Sequence, residues 1–341
     1  MNDTLDNSIS INNNFCLNLS YPVQVMRFYE TWKNETETIV AKTSGSTGTP
    51  KEIHISKEAM RASAKQTISF FDIQPQQNLL MCLPVDFIAG KMMVVRSIVA
   101  KATLVLSEPS ANPLIPFLTS KKIQLEFAAF TPQQVAEIIG EQGTRDVFKS
   151  INKVIIGGGE IPASLEKNLS TFPNEIYATY GMTETITHVA VRKVGNPIYK
   201  VFKGIQIGVD ERNCLTIQAD YLGDQKIVTN DVIELEGPHE FRFLGRFDNV
   251  INSGGIKLHP EKIEKKLEGL FTHDFYIHHI PDDVLGQQVV LVMEREPLDQ
   301  TTLGLLQNTL RETLDRFEVP RQIVFKPVFE RTPNGKVIRK A

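Results

Sequence analysis

Cysteine is scarce: Cys16, Cys82 and Cys214 stand far apart and form no CxxC pair. That spacing excludes a disulfide scaffold and a thiolate zinc site and fits a reducing cytoplasm. No long run of one charge exists, and 37 Lys and Arg against 40 Asp and Glu leave a formal balance of −3. There is accordingly no basic footprint for nucleic acid or for an anionic lipid surface. No stretch approaches the roughly 18 uninterrupted apolar residues of a membrane span. Residues 1–14 are rich in Asn, Asp and Ser without a basic region followed by an apolar one, so no secretory signal is expected there. Nothing in the sequence specifies an oligomeric state. Any anionic ligand must be held by local groups.

What is present is an ordinary globular composition, 41% apolar and 23% charged, which provides for a substantial core. At 341 residues the chain exceeds the size at which one core stops growing, and two unequal domains are expected. Short apolar runs at 79–83, 103–106, 123–129 and 154–156 read as strands. Amphipathic stretches near 91–100, 132–140 and 163–169 separate them as helices, giving an α/β pattern. Beyond Thr185 come short strands at 205–209, 215–219, 226–228 and 241–244, a β-rich subdomain. The last third reads as strand, helix (260–268), strands (275–279, 289–293), helix (301–314) and strand, a small α+β unit. His273, His278 and His279 fall there at spacings that fit no standard metal site.

The segment Thr43-Ser44-Gly45-Ser46-Thr47-Gly48-Thr49-Pro50-Lys51 lies between alternating runs at 38–41 and 53–55, which makes it a loop joining two strands. Its glycines let backbone N–H groups face inward, five hydroxyls add donors, and Lys51 adds charge, a combination suited to a polyphosphate. The spacing is not that of a Walker A loop, because Pro50 stands at its second glycine and Glu52 follows the lysine. A solvated Gly/Ser turn is the alternative for the loop taken alone.

In order along the chain come this loop, Tyr180-Gly181-Met182-Thr183-Glu184-Thr185, Gly245-Arg246-Phe247-Asp248 with Ser253-Gly254-Gly255-Ile256-Lys257, and Pro333-Asn334-Gly335-Lys336. Together they resemble the motifs of the acyl-adenylate-forming superfamily of acyl-CoA synthetases, luciferases and peptide-synthetase adenylation domains. The stretch Leu83-Pro84-Val85-Asp86-Phe87-Ile88-Ala89-Gly90 followed by Arg96 is similar to that of o-succinylbenzoate–CoA ligases of menaquinone synthesis. The resemblance implies an N-terminal ATP- and acid-binding domain (1–246), mixed α/β with a β-rich subdomain, and a mobile α+β C-terminal domain (247–341). Little of the family's usual leading subdomain precedes Thr43. Phe87 replaces a histidine and Asn230 replaces the glycine of the usual TGD.

By the same resemblance, ATP, Mg²⁺ and coenzyme A are implied, with a carboxylic acid as co-substrate. Thr43, Ser44, Gly45, Ser46, Thr47, Gly48 and Lys51 would hold phosphates. Gly157, Gly158, Gly159 and Glu160 would form the adenine turn, beside Tyr180, Gly181 and Met182. Thr183 would contact phosphate and Glu184 the metal, Asp231 and Arg246 the ribose. Lys336 would serve adenylation, and Lys257 with Gly254 and Gly255 the thiol's path, with Asp248 as the hinge. Taken singly, Lys336 reads as a turn lysine, Glu184 as a helix N-terminal carboxylate, and Asp231 and Arg246 as members of a surface ion pair.

For the acid, Phe87, Arg96 and His188 are the candidates. Arg96 can pair with a second carboxylate through its planar fork, or snorkel from a helix to the surface. His188 is a wall, a partner or a satisfied structural residue. An acid bearing an ammonium group could instead meet Asp86, which is the pattern of an enzyme that loads a carrier protein. A non-catalytic nucleotide-binding relative would be expected to lack Glu184 or Lys336, and both are present.

Overall fold

The computed structural model describes residues 2–5, 9–16, 20–42, 52–119, 123–223, 226–331 and 337–340. The chain divides into two compact units. One comprises Met1–Ile161, Leu165–Gln206 and Gln218–Ile227; the other comprises Pro162–Ser164, Ile207–Ile217 and Val228–Ala341.

The first unit is built on parallel strands in the spatial order Ile9–Phe15, Thr103–Ser107, Asn78–Met81, Phe127–Phe130, Lys153–Ile156 and Glu175–Gly181. Strand Asn2–Leu5 caps one side of this order, and His188–Lys193 and Ile198–Val201 extend the other, all antiparallel. Its central strands are near-continuous apolar runs because helices cover both faces of such a sheet: all four residues of Phe127–Phe130 are buried. Leu80, Val105, Ala128, Val154 and Ile176 meet in one core. Helices Pro132–Gly140 and Ala163–Leu169 fall where the sequence places them. The first is started by a capping box in which Thr131 and Gln134 satisfy each other's backbone N–H groups. The expected strand over 123–129 begins only at Phe127. Helices Ser20–Lys33, Lys57–Phe71 and Gln142–Ser150 add to what the sequence pattern disclosed.

In the second unit, Ile227–Gly237 pairs antiparallel with Glu240–Arg246. The run expected at 226–228 is thus an eleven-residue strand. Its charges disguised it: Asp231, Glu234 and Glu236 are met across the ladder by Arg246 and Arg242. Farther on, helices Pro260–Leu267 and Gln300–Thr313 pack on strands Ile251–Ser253, Ile256–Leu258, Phe275–Asp282, Gly286–Glu294 and Gln322–Lys326. His278 and His279 are strand residues. All three cysteines are free thiols, and among the described residues no helix is long and apolar enough to cross a membrane.

Candidate active site

Parallel strands end on one edge, and in open α/β sheets ligands bind beyond their carboxyl ends. Strands Lys153–Ile156 and Glu175–Gly181 are neighbours with Ile156 opposite Ala178. The turn Gly157-Gly158-Gly159-Glu160 and the segment from Tyr180 to Glu184 therefore leave that edge side by side. Glycine is required at two of these positions. A Cβ on Gly157 would collide with the Thr179 hydroxyl, and Gly158 sits at φ +84° with open space around it. Gly181 faces His188 across the ladder, where a Cβ would strike the Thr187 carbonyl and the His188 Cα.

Beyond Gly181 the backbone tightens into a 3₁₀ turn over Thr183–Thr185. The buried Thr185 Oγ1 lies 2.9 Å from the Met182 N–H, which donates to it, and Ile186 N–H donates to the Thr183 carbonyl. Ile186, β-branched and buried, takes φ +70°, a conformation that costs on the order of 1–3 kcal/mol and is held only by its surroundings. The result is an exposed Glu184 at the rim. No group of three or more His, Cys, Asp or Glu able to hold a metal occurs among the described residues. A single carboxylate suits an ion that keeps waters and takes substrate phosphate oxygens, as Mg²⁺ does.

Arg96 does not reach the surface. It is 2% exposed inside helix Ile88–Ala100, and burial pushes its guanidinium down to about 9, still cationic near neutrality. Its Nη2 donates to Thr187 Oγ1 at 3.1 Å and Nη1 to the Met93 sulfur at 3.6 Å, while Nε has no partner among the described residues. No carboxylate among the described residues pairs with it. His188, also buried, lies between Thr67 and Thr187, with burial and the Arg96 charge holding its pKa well below the usual value. The structure thus joins Arg96 to His188 through Thr187. Phe87 is elsewhere: it caps the start of the same helix, 37% exposed, nine residues and so roughly 13 Å along the axis from Arg96.

In the second unit, Asp231 and Arg246 stand opposite each other across the ladder, Nε to Oδ1 3.5 Å. Arg246 Nη2 also meets Asp248 at 2.9 Å. Asn230, in place of the family's glycine, accepts from Arg212 at 2.9 Å and donates to both Asp248 oxygens at 3.2 Å. Gly254 and Gly255 form the turn between strands Ile251–Ser253 and Ile256–Leu258, both with positive φ, as two-residue hairpin turns of the type I′ class require. Lys257, exposed, follows them.

Thr43 to Lys51 and Lys336 lie outside the described residues. Their flanks are described: strands Thr38–Lys42 and Glu52–Ser56 pair antiparallel with Lys42 opposite Glu52, and Arg331 bridges Val337.

Residues 29–209 match the family described as AMP-binding enzyme, slightly more than half of the chain. The chain belongs to that family. It is 25% identical over 308 residues to the 2-succinylbenzoate–CoA ligase of Haemophilus influenzae, covering 82% of this chain and 64% of that protein's length. A crystal structure of an acyl-CoA synthetase (AMP-forming)/AMP-acid ligase II-like protein from Dyadobacter fermentans is 34% identical, with TM-score 0.65 over 93% of this chain and 92% of that one. O-succinylbenzoate coenzyme A synthetase from Bacillus subtilis, in complex with ATP and magnesium ion, shares the fold at TM-score 0.72 and 18% identity, over 87% and 68% of the two chains.

Thr67, Thr187 and the strained Ile186 carry no signal in the family's motifs, and sequence reasoning did not single them out. They become visible only once helix Lys57–Phe71 and the antiparallel strand His188–Lys193 are brought against Arg96.

Proposed function

We propose that this protein joins an acid of the o-succinylbenzoate type, a dicarboxylate, to coenzyme A through an acyl-adenylate. The observation that carries the reading is Arg96: a fully buried guanidinium without a carboxylate partner among the described residues. An unpaired buried cation is costly, and a second carboxylate on the substrate offsets that cost with a planar, bidentate match. The same buried cation disfavours an acid that carries an ammonium, and Asp86 is exposed on the turn before the helix.

In the first half-reaction a carboxylate oxygen of the acid attacks the α-phosphorus of ATP, the bond to the β-phosphate breaks, and pyrophosphate leaves. Both reactants are anions, so the protein must supply positive charge and fixed donors where they meet. Thr43 to Lys51 and Lys336 are assigned that role, with Thr183 on the phosphate and Gly157 to Glu160 and Tyr180 to Met182 around the base. Asp231 and Arg246 take the ribose. A Mg²⁺ held by Glu184 would neutralise phosphate charge. In the second half-reaction the thiol of CoA attacks the acyl carbon and AMP leaves. Here Lys257 and the Gly254-Gly255 turn serve the thiol, and the backbone at Asp248 turns between the two steps, dividing 1–246 from a mobile 247–341. ATP and CoA as substrates place the reaction in the cytoplasm.

The test is acid-dependent ATP–pyrophosphate exchange in the presence of Mg²⁺ over a panel of o-succinylbenzoate, aryl acids, short fatty acids and amino acids. Exchange is expected to be fastest with o-succinylbenzoate, with product release requiring free CoA. Silence across the panel, or transfer only to a carrier protein's thiol arm, would overturn the reading.

A further inference from the structure

We propose that His188 is a positioning residue: acting through Thr187, it aims the Arg96 guanidinium and so sets the preference for acids with a second carboxylate over matched monocarboxylic acids. The inference rests on the assignment of Arg96 given above and adds to it a residue outside the family's motifs.

The hydrogen bonds run in one direction. Thr67 donates its only hydroxyl proton to the Ser63 carbonyl at 3.3 Å. With that proton so placed, its oxygen, 3.1 Å from His188 Nε2, accepts that contact, which assigns the ring proton to Nε2. Nδ1, 3.3 Å from Thr187 Oγ1, is left as an acceptor, so the Thr187 hydroxyl points its proton at the ring and its lone pairs at Arg96 Nη2, 3.1 Å away. This assignment satisfies all four groups at once. It also requires a neutral ring, because a proton on Nδ1 would oppose the Thr187 hydroxyl and add a second cation beside Arg96.

The consequence falls on Arg96. With Nη2 bonded to an oriented hydroxyl and Nη1 against the Met93 sulfur, the guanidinium is held in one orientation, and Nε together with the second N–H of each Nη is left for a carboxylate. A rotamer-rich side chain held before the ligand arrives loses less entropy on binding it. Thr187 is itself held from behind, between the positive-φ Ile186 and the close approach of Gly181. The ring also packs edge-on against Phe202 at 5.3 Å, a contact that a leucine could replace. Packing alone would therefore not distinguish one acid from another.

The experiment compares KM and kcat for o-succinylbenzoate and for 4-oxo-4-phenylbutyrate, which lacks the ring carboxylate, in the full chain and in His188→Leu, His188→Gln, Thr187→Val and Arg96→Met. His188→Leu is expected to shift the ratio of the two KM values about tenfold against the dicarboxylic acid, the loss of one oriented hydrogen bond. Thr187→Val should do the same, and the double variant should add little, since both break one chain. His188→Gln, whose amide offers an acceptor and a donor, should restore most of the preference, and it stands as the decisive variant if the leucine protein does not fold. Equal KM shifts for both acids, or a glutamine variant no better than leucine, would overturn the role of His188. If Arg96→Met abolishes the preference and His188→Leu keeps it, this inference alone fails. If Arg96→Met keeps the preference, the assignment of Arg96 fails and takes this inference with it.

Discussion

Replacing Arg96 by methionine separates stability from function in a way few substitutions do. The guanidinium is fully buried, has no carboxylate partner among the described residues, and is pushed down to about 9 by desolvation. Methionine fills much of the same volume without the charge. Exchanging buried charges for apolar groups of similar size is commonly neutral or stabilising by about 1–4 kcal/mol. Against this stands the hydrogen bond to Thr187 Oγ1, whose loss costs about 1 kcal/mol. The net expectation runs from a loss of about 1 kcal/mol to a gain of about 3 kcal/mol, a change in Tm between roughly −1 and +4 °C. Function should move the other way. Removing one partner of a desolvated charge pair costs about 2–5 kcal/mol, so KM for a dicarboxylic acid should rise by roughly 30-fold to several thousand-fold. Thermal scans of the ligand-free protein and steady-state kinetics with the matched acids check both halves. A variant that loses several degrees of Tm while keeping its turnover of the dicarboxylic acid would refute the reasoning, since Arg96 would then be a structural residue with a partner inside the fold.

Lys336→Ala should lower adenylation about a hundredfold, roughly 3 kcal/mol for one lost donor at the reacting phosphate, while thioester formation from supplied acyl-adenylate is spared. Equal damage to both half-reactions would make the lysine structural. Gly181→Ala places a methyl against the backbone of Thr187 and His188, and should cost on the order of 1–3 kcal/mol along with the preference for the dicarboxylic acid; a Tm within a degree of the parent would show that the ladder can yield there. On the acid side, the unfolded His188 ring takes a proton near 6.5, whereas the folded ring, facing Arg96 and the hydroxyls of Thr67 and Thr187, stays neutral well below that. The unfolded state then binds more protons, so stability should fall as pH drops below 6.5, by up to about 1.4 kcal/mol per pH unit from this group. Denaturant melts between pH 7.5 and 5.5 should show this slope in the parent and a flatter one in His188→Gln.

Much of the first unit was legible in the one-dimensional pattern. Strands at 79–83, 103–106 and 154–156 were read within a residue or two of Asn78–Met81, Thr103–Ser107 and Lys153–Ile156, because doubly covered strands must be short apolar runs. The stretch read as a helix at 132–140 is the helix Pro132–Gly140, which Thr131 caps. Strand Ile227–Gly237 was read as three residues, since its charges are compensated only across the ladder, by partners the local pattern does not display.

By itself, the sequence determined the family, the order of the chemical motifs and the α/β class, because these depend on residue type at short spacings. Whether Arg96 reached water or was sealed in, and whether His188 was a wall or a link, was decided only by tertiary packing. Burial and hydrogen-bond direction are properties of the residues that surround a side chain, and Thr67, Arg96 and Thr187 come from three distant segments that only folding brings into contact.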